Sequence, residues 1–198
     1  MWTTRARGAL IVEAYAPYIR KGSRTLDVGC GNGIVSRILA ERFSLDLVGT
    51  DIDDYRKEKI AFVPMDGKKL PFLDDSFELV LLNDALHHAA DQAALIAEAR
   101  RVGRTVLIYE VEPGLGISLF DRCINFFHHR GMPTPLAFRT AEGWRRFMTE
   151  RGIAATVIPL GRPRTWYPFR HVLIIAHTDH GRSQSAAVQS ADRQLHPR

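Results

Sequence analysis

Three kinds of residue in this chain could do chemistry. The first is the run Asp27-Val28-Gly29-Cys30-Gly31-Asn32-Gly33, an acid followed by three alternating glycines. Glycines so placed let backbone approach a ligand without Cβ atoms in the way, and a helix opening directly afterwards aims its N-terminus at that ligand. A dinucleotide pyrophosphate site wants G-x-G-x-x-G. Here the third glycine comes one residue early, and Ile34 stands where that pattern wants glycine. The second kind is histidine. All eight follow residue 86: His87, His88, His128, His129, His171, His177, His180 and His196. His87 and His88 are the candidates for removing a proton, against the plainer reading that one of them packs or caps. His128 and His129 suit the carbonyl end of a helix as well as they suit a substrate site. Neighbouring residues point in different directions and no carboxylate or cysteine spacing completes a ligand set, so no metal is expected. The third kind is arginine among aromatic residues: Arg162, Arg164, Trp166, Tyr167, Phe169 and Arg170. Guanidinium forks there could hold an anionic head. A solvated face is an equally simple account.

The glycine loop resembles the first motif of the class I S-adenosylmethionine-dependent methyltransferases, and the likeness continues in order. Val48-Gly49-Thr50-Asp51-Ile52-Asp53 ends an apolar run in acids. Asp66 and Gly67 follow the next run, ahead of Leu70-Pro71-Phe72. Asn83-Asp84-Ala85-Leu86-His87-His88 then looks like the Leu-His-His segment of the type 11 subgroup, which contains ubiquinone and menaquinone biosynthesis enzymes. The resemblance covers roughly residues 24–111. It implies that Asp27, Gly29, Cys30, Gly31 and Gly33 hold the methionine portion of S-adenosylmethionine. Asp51, with Ile52 beside it, would take the ribose, because a carboxylate accepts two hydrogen bonds from a vicinal diol. Asp66, with Gly67, would lie near adenine, and Asn83 on the methyl-donor side. One departure is the turn Arg100-Arg101-Val102-Gly103-Arg104, where the family commonly has Leu-x-Pro-Gly-Gly. It falls at the amino ends of the strands, away from the crevice where open α/β sheets bind ligands.

The elements that must position these residues follow from periodicity. Apolar residues at helical spacing run from Thr3 to Ile19, Ile34 to Phe43, Ala90 to Arg101, and from Thr140, a candidate N-cap, to Gly152. Short apolar runs at Thr25 to Val28, Leu45 to Thr50, Ile60 to Met65, Phe77 to Leu82 and Arg104 to Val111 read as strands, with Ile153 to Leu160 and His171 to His177 as a closing hairpin. The alternation predicts an α/β, Rossmann-like, doubly wound sheet in one domain over 1–177. The resemblance implies seven strands with an antiparallel last one. Segment 112–139 is expected to be an acceptor-side insertion, apolar and of helical length in its middle. The stretch 178–198, rich in Ser, Gln, Ala and Arg without periodicity, is expected to be a disordered tail.

Composition bounds the rest. The chain has 198 residues and a formal charge of +5, unevenly divided: 12 basic against 15 acidic residues up to 99, then 15 basic, all Arg, against 7 acidic. With 45% hydrophobic residues it is a globular protein with a full core. No window reaches the roughly 18 apolar residues of a membrane span, and the N-terminus lacks a signal-peptide core. A cytoplasmic protein is expected, with peripheral membrane contact left open. Two cysteines, Cys30 and Cys123, make no disulfide framework. The functional expectation is methyl transfer to a small-molecule or amphipathic, lipid-like acceptor, with anionic character suggested by His128, Arg164, Tyr167 and Arg170. An RNA methyltransferase is the alternative that the basic second half keeps open, although no RNA-binding module or Asn-Pro-Pro-Tyr-like motif accompanies it. A cofactor-binding regulatory protein without catalysis is the non-enzyme alternative.

Overall fold

Strand β4 (Phe77–Asn83) is buried at all but one position, and a strand apolar on both faces belongs at the centre of a sheet covered on both sides. The computed structural model, which describes residues 4–114, 137–162 and 169–177 and omits the side chains of Thr4 and Arg5, puts it there. Around it stand β1 (Arg24–Val28), β2 (Asp46–Asp51), β3 (Ala61–Pro64), β5 (Gly103–Val111), β6 (Ala155–Gly161) and β7 (His171–His177), in the order β3-β2-β1-β4-β5-β7-β6. Strands β1 to β5 pair in parallel with their neighbours. Strand β7 runs antiparallel to both β5 and β6. The expected seven-stranded doubly wound sheet is therefore the fold.

Alternate residues along each strand face opposite helical layers. On one side, α1 (Thr4–Tyr15) and α2 (Ile34–Phe43) place Ile11, Tyr15 and Leu39 against Leu79, Leu81 and Leu107. On the other, α3 (Gln92–Val102) and α4 (Ala141–Glu150) place Ile96, Trp144 and Phe147 with Val80, Leu82 and Ile174. Helix boundaries follow their caps. The α3 helix starts two residues later than periodicity suggested because Asp91 accepts the Ala94 amide at 3.0 Å. Thr140 caps α4 as expected, accepting the Gly143 amide at 3.0 Å. The α1 helix stops at Tyr15, two residues before Pro17, short of its apolar pattern.

The basic turn before β5 has structural work at the amino ends of the strands. Arg101 donates to Glu98, Asp74 and the carbonyls of Leu70 and Phe72, and Arg100 donates to the His177 carbonyl. Gly103 opens β5 where space is tight: a Cβ there would come within 2.3 Å of Val80 Cγ2. Gly103→Ala is expected to cost about 1–3 kcal/mol in urea denaturation, as overpacking does. An unchanged midpoint would contradict that packing.

The register sorts the histidines. His171 lies opposite Val111 at the carboxyl end of β5, and His177 opposite Thr105 near its start. Among the described residues no helix is long and apolar enough to cross a membrane. The helical expectation for the middle of 112–139, and that of a tail from 178, lie outside the described residues.

Candidate active site

The loop after β1 has the shape its glycines imply. Gly29, Gly31 and Gly33 all have positive φ, at 73°, 52° and 76°. A Cβ on Gly29 would meet the Ala85 side chain at 2.8 Å, while one on Gly31 would meet nothing within 4 Å. Gly29 thus lets the loop pack on the turn after β4, and open space lies above Gly31. Asp51, buried at the end of β2, joins the two segments: one carboxylate oxygen accepts the Gly31 amide at 2.9 Å, the other the Ile52 amide at 2.8 Å. The Cys30 thiol turns towards Gly49 and burial pushes its pKa up, so its contribution to the crevice is backbone. Ile52 and Gly67 meet, with Ile52 Cγ2 3.2 Å from where a Gly67 Cβ would be. Asp66 is exposed, and one of its oxygens accepts the amides of Lys69 and Lys68 at 2.8 Å each, which hold its carboxyl below the usual range.

Asp27 and Asn83 are brought together, but facing each other. Asp27 accepts the Ser36 hydroxyl at 2.6 Å and the Asn83 amide at 2.9 Å, and Asn83 in turn accepts the Tyr15 hydroxyl at 2.9 Å. This chain of bonds locks the glycine loop, β4 and α1 under the crevice. Burial raises the Asp27 carboxyl to about 6, against the Ser36 and Asn83 bonds that favour its charged form. An acid whose folded pKa lies above its unfolded value of 3.8 is destabilising once ionised. Stability is therefore highest below the unfolded value and is lost as pH rises to about 6, by on the order of 3 kcal/mol. Asp27→Asn removes the titration and keeps both bonds, because a serine hydroxyl can also accept. In urea denaturation of the ligand-free protein, wild type should lose this stability relative to the variant between pH 4 and 7. Parallel pH profiles would refute it.

On the other side of Asn83 lies a second cluster. The His87 ring is buried and its Nδ1 lies 2.7 Å from Glu110 Oε2, while Glu110 Oε1 accepts the Leu86 amide at 2.7 Å. Burial raises the Glu110 carboxyl, and His87 opposes that shift. Phe138 stacks on His87 at 4.7 Å and His88 tilts against it at 4.1 Å. A proton on Nδ1, shared with the carboxylate, makes Nε2 the basic atom. Asp84 pairs with Arg7 of α1, and Asp84, His87 and Glu110 each offer an oxygen or nitrogen within 4.8 Å of the others. His171 is buried beside them, stacked on Tyr109 at 4.7 Å, with its pKa lowered by burial.

Glu112 fastens the edge of this cluster. Its Oε1 accepts the Ala141 amide at 2.6 Å, its Oε2 accepts Arg170 Nε at 3.0 Å, and its own amide donates to the Arg170 carbonyl at 2.9 Å. The end of β5 and the starts of α4 and β7 meet on one buried carboxylate. Arg170 is thus held at the crevice as a partner of Glu112. His128, Arg164 and Tyr167 lie outside the described residues. Four other second-half arginines face elsewhere: Arg100 and Arg101 bond at the amino ends of the strands, and Arg145 and Arg151 form ion pairs on and at the end of α4. Arg7, Tyr15, Asp84, Glu110 and Glu112 were not singled out by sequence reasoning. The signal for the last two was two acids in alternation ending an otherwise apolar strand, Tyr109-Glu110-Val111-Glu112.

Comparison with known proteins bears on the family of the chain. The family model described as "Methyltransferase domain" (Methyltransf_11) matches residues 26–105. A demethylmenaquinone methyltransferase of Renibacterium salmoninarum is 32% identical over 179 residues, covering 81% of this chain and 74% of the relative. A sterol 24-C-methyltransferase of Gibberella zeae is 30% identical over 116 residues, 52% of this chain and 30% of the relative. The chain spans about a third of the length of several curated relatives it matches. Among solved structures, an S-adenosylmethionine-dependent methyltransferase of Thermotoga maritima superposes with a TM-score of 0.62 at 15% identity, covering 87% of this chain and 89% of that one.

Proposed function

This chain belongs to the type 11 family of class I S-adenosylmethionine-dependent methyltransferases, and on that premise we propose that it methylates a small-molecule or lipid-like acceptor whose attacked atom carries a removable proton. One arrangement carries the reading. The glycine loop and Asp51 stand on one side of Asn83, and the His87–Glu110 pair stands on the other, at the ends of adjacent strands. The relatives named for sterols and demethylmenaquinone support an apolar acceptor.

The cofactor of this family is S-adenosylmethionine, and the residues present suit it: open space above Gly31, a carboxylate at Asp51, and Ile52 against Gly67. When bound, it supplies a methyl group on a sulfonium whose carbon–sulfur electron pair leaves with sulfur as the new bond forms. Asp51 would hold the ribose diol, and Asp66 would lie near adenine. Asp27, through Asn83 and Ser36, keeps the loop in shape. His87 would take the acceptor's proton at Nε2, and Glu110 would hold the ring in the tautomer that allows this while stabilising the imidazolium. His88 and Phe138 shield that ring from water, which would otherwise compete for the base. His128, Arg164, Tyr167 and Arg170 would lie on the acceptor side.

The test is incubation of a cell extract with the protein and donor labelled in the transferred methyl, followed by separation into lipid, small-molecule, RNA and protein fractions. Label should enter the lipid or small-molecule fraction. Label in RNA, or in none of the fractions, would overturn the proposal.

A further inference from the structure

The turn after β4 contains a carboxylate oxygen without a partner. Asp84 leaves β4 in a left-handed conformation, φ 50°, with its amide held by the Tyr109 carbonyl at 2.8 Å. Its side chain is 11% exposed. One carboxylate oxygen is paired with Arg7, whereas Oδ1 is buried without a hydrogen-bond partner. A buried carboxylate oxygen left bare is costly, so such an atom calls for a donor. The Asp84 carboxylate lies in the cluster with His87 and Glu110, beyond Asn83 at the end of β4. Phe138 stacks on His87, and Tyr109 stacks on His171.

From these observations we infer that Asp84 and His87 form a two-point clamp for an acceptor carrying two neighbouring hydrogen-bond donors. A 1,2-diol, an ortho-dihydroxyaryl group or a hydroxy-amine has that chemistry. One hydroxyl gives its proton to His87 and its oxygen takes the methyl group; its neighbour donates to Asp84 Oδ1 and is left unmodified. This rests on the methyltransferase reading and narrows its substrate. It also reverses the sign suggested by the arginine-rich sequence. Asp84, Glu110 and Glu112 gather at the strand ends, against Arg7 and Arg170, and both guanidiniums are already paired with Asp84 and Glu112. A phosphate or carboxylate at the reacting end would meet carboxylates. A neutral donor pair meets the acceptor it needs.

The clamp can be read from binding as well as from turnover. Calorimetry on the full chain, saturated with S-adenosylhomocysteine, should compare catechol, phenol and benzoate. Catechol is expected to bind at least about tenfold more tightly than phenol, since a site built to hydrogen-bond a hydroxyl discriminates against the analogue lacking it. Benzoate should bind more weakly than either. In Asp84→Asn the amide oxygen would pair with Arg7, leaving an N–H where the acceptor needs a lone pair, so the preference for catechol should vanish. Unchanged binding of S-adenosylhomocysteine by the variant would show that it is folded. With labelled donor, catechol should give the monomethyl ether.

Four outcomes overturn the clamp: catechol no tighter than phenol, benzoate the tightest, no binding of any probe at millimolar concentration, or a preference that survives Asp84→Asn. A catechol preference abolished by EDTA would also overturn it, assigning the three side chains to a cation instead. Failure of wild type to bind S-adenosylhomocysteine would be a different result. It would remove the methyltransferase reading itself.

Discussion

His87→Gln should lower kcat by about 10²–10⁴-fold, the range for losing a positioned general base, while S-adenosylmethionine binds as tightly as before. The reason is spatial separation. His87 belongs to the turn after β4 and bonds to Glu110 of β5, whereas the donor's expected contacts lie on β1, β2 and the loop after β3. Glu110→Gln should give a smaller loss, about 10²-fold in kcat, with acceptor KM changed less than about threefold. Its amide can still accept the Leu86 amide while ceasing to stabilise an imidazolium. Rates at saturating donor and acceptor, with donor affinity measured by calorimetry, provide the check. Equal losses of kcat and donor affinity would indicate a disturbed fold. An unchanged kcat in His87→Gln would remove the base assignment.

Asp51→Ala is expected to weaken donor binding by about 10²-fold, corresponding to two charge-assisted hydrogen bonds to a vicinal diol at roughly 1.5 kcal/mol each. The carboxylate also accepts the Gly31 amide, so the variant should lose some order in the glycine loop. Asp51→Asn separates the two effects. It keeps one oxygen for Gly31 and loses the charge and one acceptor, so its affinity should fall between the others. Calorimetric titration with S-adenosylmethionine, alongside thermal melting to show that each variant folds, tests the series. Unchanged affinity in Asp51→Ala would sink the ribose assignment.

How much of this could be seen in the sequence depended on how far apart the partners lie in the chain. The glycine loop is contiguous, and Asp51 and Asp66 are marked by the apolar runs they end, so the expected donor contacts could be named residue by residue. The doubly wound sheet followed from the alternation of elements, and its seven strands with an antiparallel closure followed from the family likeness. The proposed acceptor side and the bonds beneath the crevice are made by distant pairs. His87 meets Glu110 across 23 residues, Tyr15 meets Asn83 across 68, and Glu112 meets Arg170 across 58. No local pattern announces such contacts. Asp27 shows the opposite limit: its position in the motif was plain, but whether it faced ligand or protein depended on Ser36 and Asn83 converging on it. Net charge was the least informative signal. It counted arginines whose guanidiniums the fold uses at the far end of the sheet.

Glu112 has a consequence for how such a protein can diversify. Because one buried carboxylate secures the end of β5, the first amide of α4 and the residue leading into β7, the chain between β5 and α4 begins and ends at anchored backbone. Insertions, deletions and wholesale exchange of that intervening sequence can then be tolerated without disturbing the register of the sheet or the donor half. An acceptor site built there, as proposed, would be a cassette mounted on an unchanging frame.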